Sequence, residues 1–454
     1  MRHSQHELYE LLLKLALPIL IGQLSIIGLS MTDILLSGHV GRQDLAGVML
    51  GATLFDLPMM FVLGIFIANS TLVGRLHGRD DGEGLNLHFQ NTLWLTLPMG
   101  LAIAVTVYLM RILVLPQLEA TPEVRAVANG YLIPMTGTAF LVPMLVALRT
   151  TLEATGHQRV AMVFNLLGFL LNIPLDLAFI HGWGPVEGMG GAGCGWATLS
   201  VVAVIIVGVQ VYLHSKQRYV RFHYINRLQR PSWVSIRQIL LMGTPMGGAI
   251  LAEAGFFHVI PMMAAKLGTV ALASHAVTMS FDMAMFMLPF AVSQAITIRT
   301  ANTLGRGDRA HHIARTGMKV VLVISLLQAV LVMLFRNEIP TLYSSDTAVT
   351  EVAATLLFVA AFVRVFDGLN IAGGGVLRGY GQTRSILLIS VFAFWVVGAP
   401  LVWTSVSDMG GTGIASIAQS RIQAIWYAIL AAVAMACVMT LWRVRQTLKQ
   451  SDGA

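Results

Sequence analysis

Charge is scarce in this chain. Charged residues make up 11% of its 454 residues, against roughly 25% in a soluble domain. Apolar residues make up 56%, and the mean hydropathy is +0.74, which points to an integral membrane protein. Cysteine is almost as rare. Cys194 and Cys437 lie far apart without metal-type spacing, so a disulfide framework is excluded by number and both read as packing residues. The motifs of soluble catalysis are missing too. There is no P-loop, no His-Glu-x-x-His helix and no Gly-x-Ser-x-Gly at a strand–helix turn. Gly373-Gly374-Gly375 lies inside an apolar run, where glycine permits close helix contact rather than phosphate binding. His258 and His275 are single polar residues with no nucleophile or ligand set around them. Nothing here supports an enzyme, and no cofactor is implied.

What the chain does have is a repeat. Pro18, Gly41, Leu45, Ala46, Gly78, Arg79 and Asp81 recur 227 residues later as Pro245, Gly268, Leu272, Ala273, Gly305, Arg306 and Asp308. That spacing is half the chain, so a duplicated unit fills it. The register then drifts slightly: Leu148-Arg149 returns as Leu377-Arg378, and Pro174 as Pro400. Twelve apolar runs are long enough to cross a bilayer at roughly 20 residues each, six in each half. An even number per half makes the repeat parallel, with a pseudo-two-fold axis along the membrane normal. The expectation is an all-α polytopic membrane protein with two six-helix lobes, 1–213 and 238–454, joined by a basic linker, 214–237. Met1–Glu10 is polar and the run after it is long enough to span, so no cleavable signal peptide is visible.

Lysine and arginine set the topology. Most of the 29 fall on the side shared by the termini and the linker, and Arg42, Arg111, Arg125, Lys266 and Arg336 fall on the other. The positive-inside rule puts both termini in the cytoplasm. The formal charge of +7 is then a consequence of topology, not a signal for nucleic acid. No obligate protein partner is evident.

Acid at membrane depth is the functional signal. A carboxylate at the bilayer centre costs about 2.5–3.5 kcal/mol, so such residues usually face a cavity and work. Asp33, Asp56, Asp176, Glu253, Asp282 and Asp367 all lie within the predicted spans. Phe55-Asp56 and Phe281-Asp282 are repeat equivalents and could share a structural duty, and Asp176, near a helix end after Pro174, leans the same way. Asp33, Glu253 and Asp367 break the repeat, facing Ile260, Ile26 and Thr138. Acid in one half only suggests specialisation: a cation site at Glu253 and Asp367, and a separate titratable site at Asp33 with Asn172 and Asp176 as partners. Arg364 precedes Asp367 by three residues and could pair with it instead, competing with a cation. Phe256, Phe257, Phe281, Met283, Met285, Phe286 and Met287 are candidates for a cavity wall, since flexible thioethers among the 24 methionines suit promiscuous apolar surfaces.

The sequence resembles the multidrug and toxic compound extrusion family in its NorM-like branch. The resemblance covers essentially the whole chain. It is carried by Leu17-Pro18-Ile19-Leu20, Met31-Thr32-Asp33 with Gly38 and Gly47, and Gly305-Arg306-Gly307-Asp308. Leu377-Arg378-Gly379 with Gly381-Gln382-Thr383, and Gly410-Gly411 with Gly413, carry it further. It implies two lobes forming a V-shaped cavity with alternating access in a bacterial inner membrane. It also implies export of bulky amphiphilic, often cationic, compounds in exchange for sodium ions or protons. In these terms Asp33 is implied in proton or drug coupling, and Glu253 and Asp367 are implied as the cation site, holding sodium if sodium is the coupling ion. The aromatic residue expected one turn before the second of these is Val363 here, which removes its contribution. The alternative within the wider superfamily is a flippase for lipid-linked oligosaccharide, which would place several arginines or lysines in the cavity.

Overall fold

The structure is a computed structural model, and it describes residues 5–184, 187–215, 229–407 and 421–452. Most of the basic linker and the Gly410-Gly411-x-Gly413 motif lie outside the described residues. Among the described residues, twelve helices are long and apolar enough to cross a membrane. In order they are α1 (Gln5–Val40), α2 (Arg42–Gly78), α3 (Gly82–Leu109), α4 (Pro122–Ala154), α5 (Gln158–His181) and α6 (Gly193–Ser215). Then come α7 (Trp233–Ala265), α8 (Thr269–Gly305), α9 (His311–Phe335), α10 (Thr347–Gly379), α11 (Thr383–Val406) and α12 (Arg421–Asp452). α11 is π-helical over Val391–Gly398, just ahead of Pro400.

The duplication is visible in the turns. After α2, Asp81 N–H donates to the Leu76 carbonyl, and Asp80 takes a left-handed φ of 56°. After α8, at the same spacing, Asp308 N–H donates to Thr303 and Gly307 has φ 81°. The turns after α4 and α10 match as well: His157 N–H to Leu152 and Gln382 N–H to Leu377, both 2.8 Å, with Gly156 and Gly381 at φ 88° and 77°. Glycine is the residue for that backbone, because a Cβ there meets the adjacent carbonyl.

The chain forms two compact units. One runs Leu17–Gly247, and the other comprises Gly248–Ala454 with the chain up to Ala16. α1 and α7 are therefore each divided between units. The first part of α7 belongs with α2 because its small residues allow backbone contact: a Cβ on Gly243 would lie 2.8 Å from Ile65, and one on Gly247 would lie 2.4 Å from the Phe61 carbonyl. Just before α7 the chain is tied to α3. Gln229 N–H donates to Gln90 Oε1 at 2.8 Å, Trp94 Nε1 donates to the Gln229 carbonyl at 3.1 Å, and Ser232 N–H donates to Asn91 Oδ1 at 2.6 Å. The core of the second unit gathers Phe256, Phe394, Trp426 and Val363. The first unit packs α2 against α4 through Val62, Phe66, Leu132 and Ala139.

Candidate functional site

In the first unit three helices converge on Asp33. Asn172 and Asp176 are four residues apart and share a face of α5, while Cys194 and Thr198 do the same on α6. Asp33, from α1, lies between these faces. Its Oδ1 accepts from Asn172 Nδ2 at 3.4 Å and its Oδ2 from Thr198 Oγ1 at 3.1 Å, while the Cys194 thiol approaches its backbone carbonyl at 3.6 Å. The Asp176 carboxylate lies beside it, with one donor atom each of Asp33, Asp176 and Cys194 within 4.8 Å of one another. All of these side chains are buried, and among the described residues Asp176 receives no hydrogen bond from an amide, hydroxyl or guanidinium. Neither carboxylate is paired with lysine or arginine among the described residues.

Asp33 and Thr198 open on a cavity of about 290 Å³ within this unit. Its wall is mostly apolar, with Phe55, Met59, Met135 and Val142 among its residues, and Asp56 also reaches it. Arg149 lines it as well, facing Glu153 on the next turn of α4 at 3.7 Å. Such a chamber can take an apolar body and neutralise one positive charge.

The second unit arranges its charges differently. Arg364 on α10 reaches across to α8, where Nε and Nη2 meet the two Asp282 oxygens at 2.9 and 3.0 Å. Nη2 also donates to Asp367 Oδ2 at 2.8 Å, and the guanidinium lies 5.6 Å from the centre of the Phe286 ring. Glu253 on α7 is half-buried and within electrostatic reach of Asp367, Arg378 and Arg364. Arg378 is buried and donates to Ser293 Oγ at 2.7 Å and Thr297 Oγ1 at 3.3 Å.

The sequence-predicted residues therefore separate into two sites. Asp33, Asn172 and Asp176 come together, with Asp176 beside Asp33 near the end of α5. Asp367 and Arg364 also come together, which is the pairing that competes with a cation, and Asp282 completes it. The proposed cavity wall in the second unit needs correction in part. Phe256 is a core residue, its ring 5.4 Å from Phe394 and 5.6 Å from Phe257. Met287 is buried, Phe281 packs with Val332 and Leu357, Met283 is exposed, and the Met285 carbonyl accepts from Gln328 at 2.9 Å. Phe286 faces Arg364. An aromatic residue in an apolar run does not reveal whether it meets a cavity or a core. Thr198 and Cys194 join the site without any sequence signal, because threonine and cysteine are ordinary in membrane helices.

The family model described as MatE matches residues 18–178 and again 245–404, the two halves of the repeat. The chain belongs to the MatE family, the multidrug and toxic compound extrusion proteins. Among its relatives is "Multidrug resistance protein PmpM" of Pseudomonas aeruginosa, 31% identical over 395 residues, covering 86% of this chain and 82% of the relative. "Probable multidrug resistance protein NorM" of Shewanella oneidensis is 29% identical over 458 residues, covering 99% and 97%. Solved structures with the same fold include a Vibrio cholerae MATE transporter in the bent form, with a TM-score of 0.85 at 19% identity and 98% of each chain covered. An outward-facing multidrug resistance MATE family transporter gives 0.85 at 20% identity, covering 100% of this chain and 98% of that one. The chain is thus a multi-pass bacterial membrane protein with the two-lobe fold.

Sodium, which the family resemblance implies as one possible coupling ion at Glu253 and Asp367, fits the residues here poorly. A hard cation wants a shell of oxygens. Asp367 already gives one oxygen to a guanidinium, and both Asp282 oxygens are taken. Asn370 Oδ1 accepts from Thr440 at 2.8 Å, and Val363 offers no side-chain oxygen.

Proposed function

We propose that this chain is a secondary active exporter of bulky amphiphilic, often cationic, compounds, driven by inward proton flow through alternating access. The observation that carries this reading is the Asp33–Asp176 pair: two buried carboxylates without a basic partner among the described residues, one of them opening on an apolar-walled cavity. Two such groups side by side repel when both are ionised and are costly to bury without a counter-charge, so the site holds a proton when empty. A cationic amphiphile entering the cavity supplies that charge and releases the proton. Drug and proton then bind at each other's expense, which is the linkage an exchanger needs. The protein sits in the inner membrane with both termini in the cytoplasm, its partners being small drug-like molecules and lipid. It performs no enzymatic reaction and takes no cofactor. A lipid-oligosaccharide flippase is disfavoured, because among the described residues Arg149 is the one arginine in the wall of this cavity and it faces Glu153.

Efflux of a fluorescent cationic amphiphile from everted vesicles tests the reading. Asp33→Asn should reduce the rate at least about tenfold, equivalent to roughly 1.4 kcal/mol, and flatten its pH profile while the protein stays folded. An unchanged rate and profile would remove Asp33 from the mechanism.

A further inference from the structure

The two units use one set of repeat-matched positions in opposite ways. Glu253 matches Ile26, Asp282 matches Asp56, Arg364 matches Met135, Asp367 matches Thr138, and Arg378 matches Arg149. All five first-half residues line the 290 Å³ cavity. Their second-half counterparts converge into a charged cluster. The key exchange is methionine for arginine. Met135 is an apolar wall, whereas Arg364 projects a fixed positive charge between two carboxylates and rests against the Phe286 ring.

We propose that Arg364 is a tethered internal cation that takes the place of a coupling sodium ion in the second unit and so sets the ion specificity of the transporter. The inference deepens the exporter reading, and rests on it for the meaning of coupling. Guanidinium remains charged under all physiological conditions and its planar fork matches two carboxylates at once. A mobile cation arriving at Asp367 must displace a group that cannot diffuse away and that repels it. Glu253, Asp282 and Asp367 together face Arg364 and Arg378, so at most one negative charge is left over, and a proton on Glu253 cancels it without any coordination shell. The second unit then needs no metal ion in any step, and sodium neither binds nor drives transport.

Binding of radioactive sodium to the purified full-length chain tests this directly, without any drug. The wild type should show no saturable binding, and Arg364→Lys should behave the same. Arg364→Met should gain saturable sodium binding at least tenfold above the wild-type signal. Because that variant leaves the buried Asp367 and the partly buried Asp282 uncompensated and could fail to fold, the double variant Arg364→Met/Asp282→Asn is measured beside it and should show the same gain. Saturable sodium binding to the wild type, abolished by Asp367→Asn, overturns the proposal. So do folded Arg364→Met variants that still take up no sodium, since Arg364 would then not be what keeps the ion out. A chain that exported no drug would sink the exporter reading and leave this assay intact.

Discussion

α4 and α10 are the same helix of the duplicated unit, and they have diverged toward opposite ends. Where α4 has Ala139, Met144 and Val146, α10 has Gly368, Gly373 and Gly375. The glycines let α10 close on its neighbours. A Cβ on Gly375 would come within 2.6 Å of the Ser293 carbonyl, and one on Gly373 within 2.6 Å of Thr440 Cγ2. On α4 the bulkier Val146 stands at the wall of a cavity. One copy of an ancestral bundle has thus kept a chamber with acids at its edge, and the other has filled the matching space with an arginine and tightened around it. The difference teaches that internal symmetry of backbone does not carry symmetry of function. A handful of side chains at matched positions decides which half keeps a cavity and which half closes around a charge cluster.

The largest effect that would break this comparison comes from Arg364. If the second unit is braced by its guanidinium, Arg364→Met should lower folding stability by about 3–5 kcal/mol, the range for removing one partner of a buried ion pair. Adding Asp282→Asn removes one stranded charge and should recover part of the loss. Thermal unfolding of both variants in the same detergent checks this. A single variant as stable as wild type would mean that Arg364 does not hold α8 to α10. A smaller effect sharpens the packing side. Gly375→Ala should destabilise by about 1–3 kcal/mol, because the added carbon meets backbone that cannot step aside. The first-half counterpart Val146→Ala removes atoms at a cavity wall and should cost no more than about 1–2 kcal/mol. The same thermal assay compares the two, and equal costs would erase the distinction between a closed and an open copy.

Much of the architecture is legible in the amino-acid sequence. Twelve spans follow from apolar runs, and the duplication from prolines and glycines whose turns do recur with the same hydrogen bonds. Asp33, Asn172 and Asp176 are legible because polar groups are conspicuous inside apolar helices, and the four-residue step from Asn172 to Asp176 places them on one face. The Arg364–Asp367 contact is readable from its three-residue spacing. Asp282 as the third member is not, since its pairing with Arg364 joins two helices 82 residues apart and no local pattern encodes it. Thr198 is hidden for a different reason: its hydroxyl could as well have bonded back to its own helix, as Ser200 does to the Trp196 carbonyl at 2.8 Å. Phe256 misleads because burial in a core and exposure to a cavity ask for the same residue type.

The central claim is that coupling resides at the carboxylates of the first unit while the second unit carries its own cation. It is tested most directly by reconstituting the wild-type chain in proteoliposomes and imposing one ion gradient at a time. The account predicts that a proton gradient alone drives accumulation of a cationic amphiphile, and that a sodium gradient alone, at equal pH on both sides, drives none. Accumulation driven by sodium alone would contradict it.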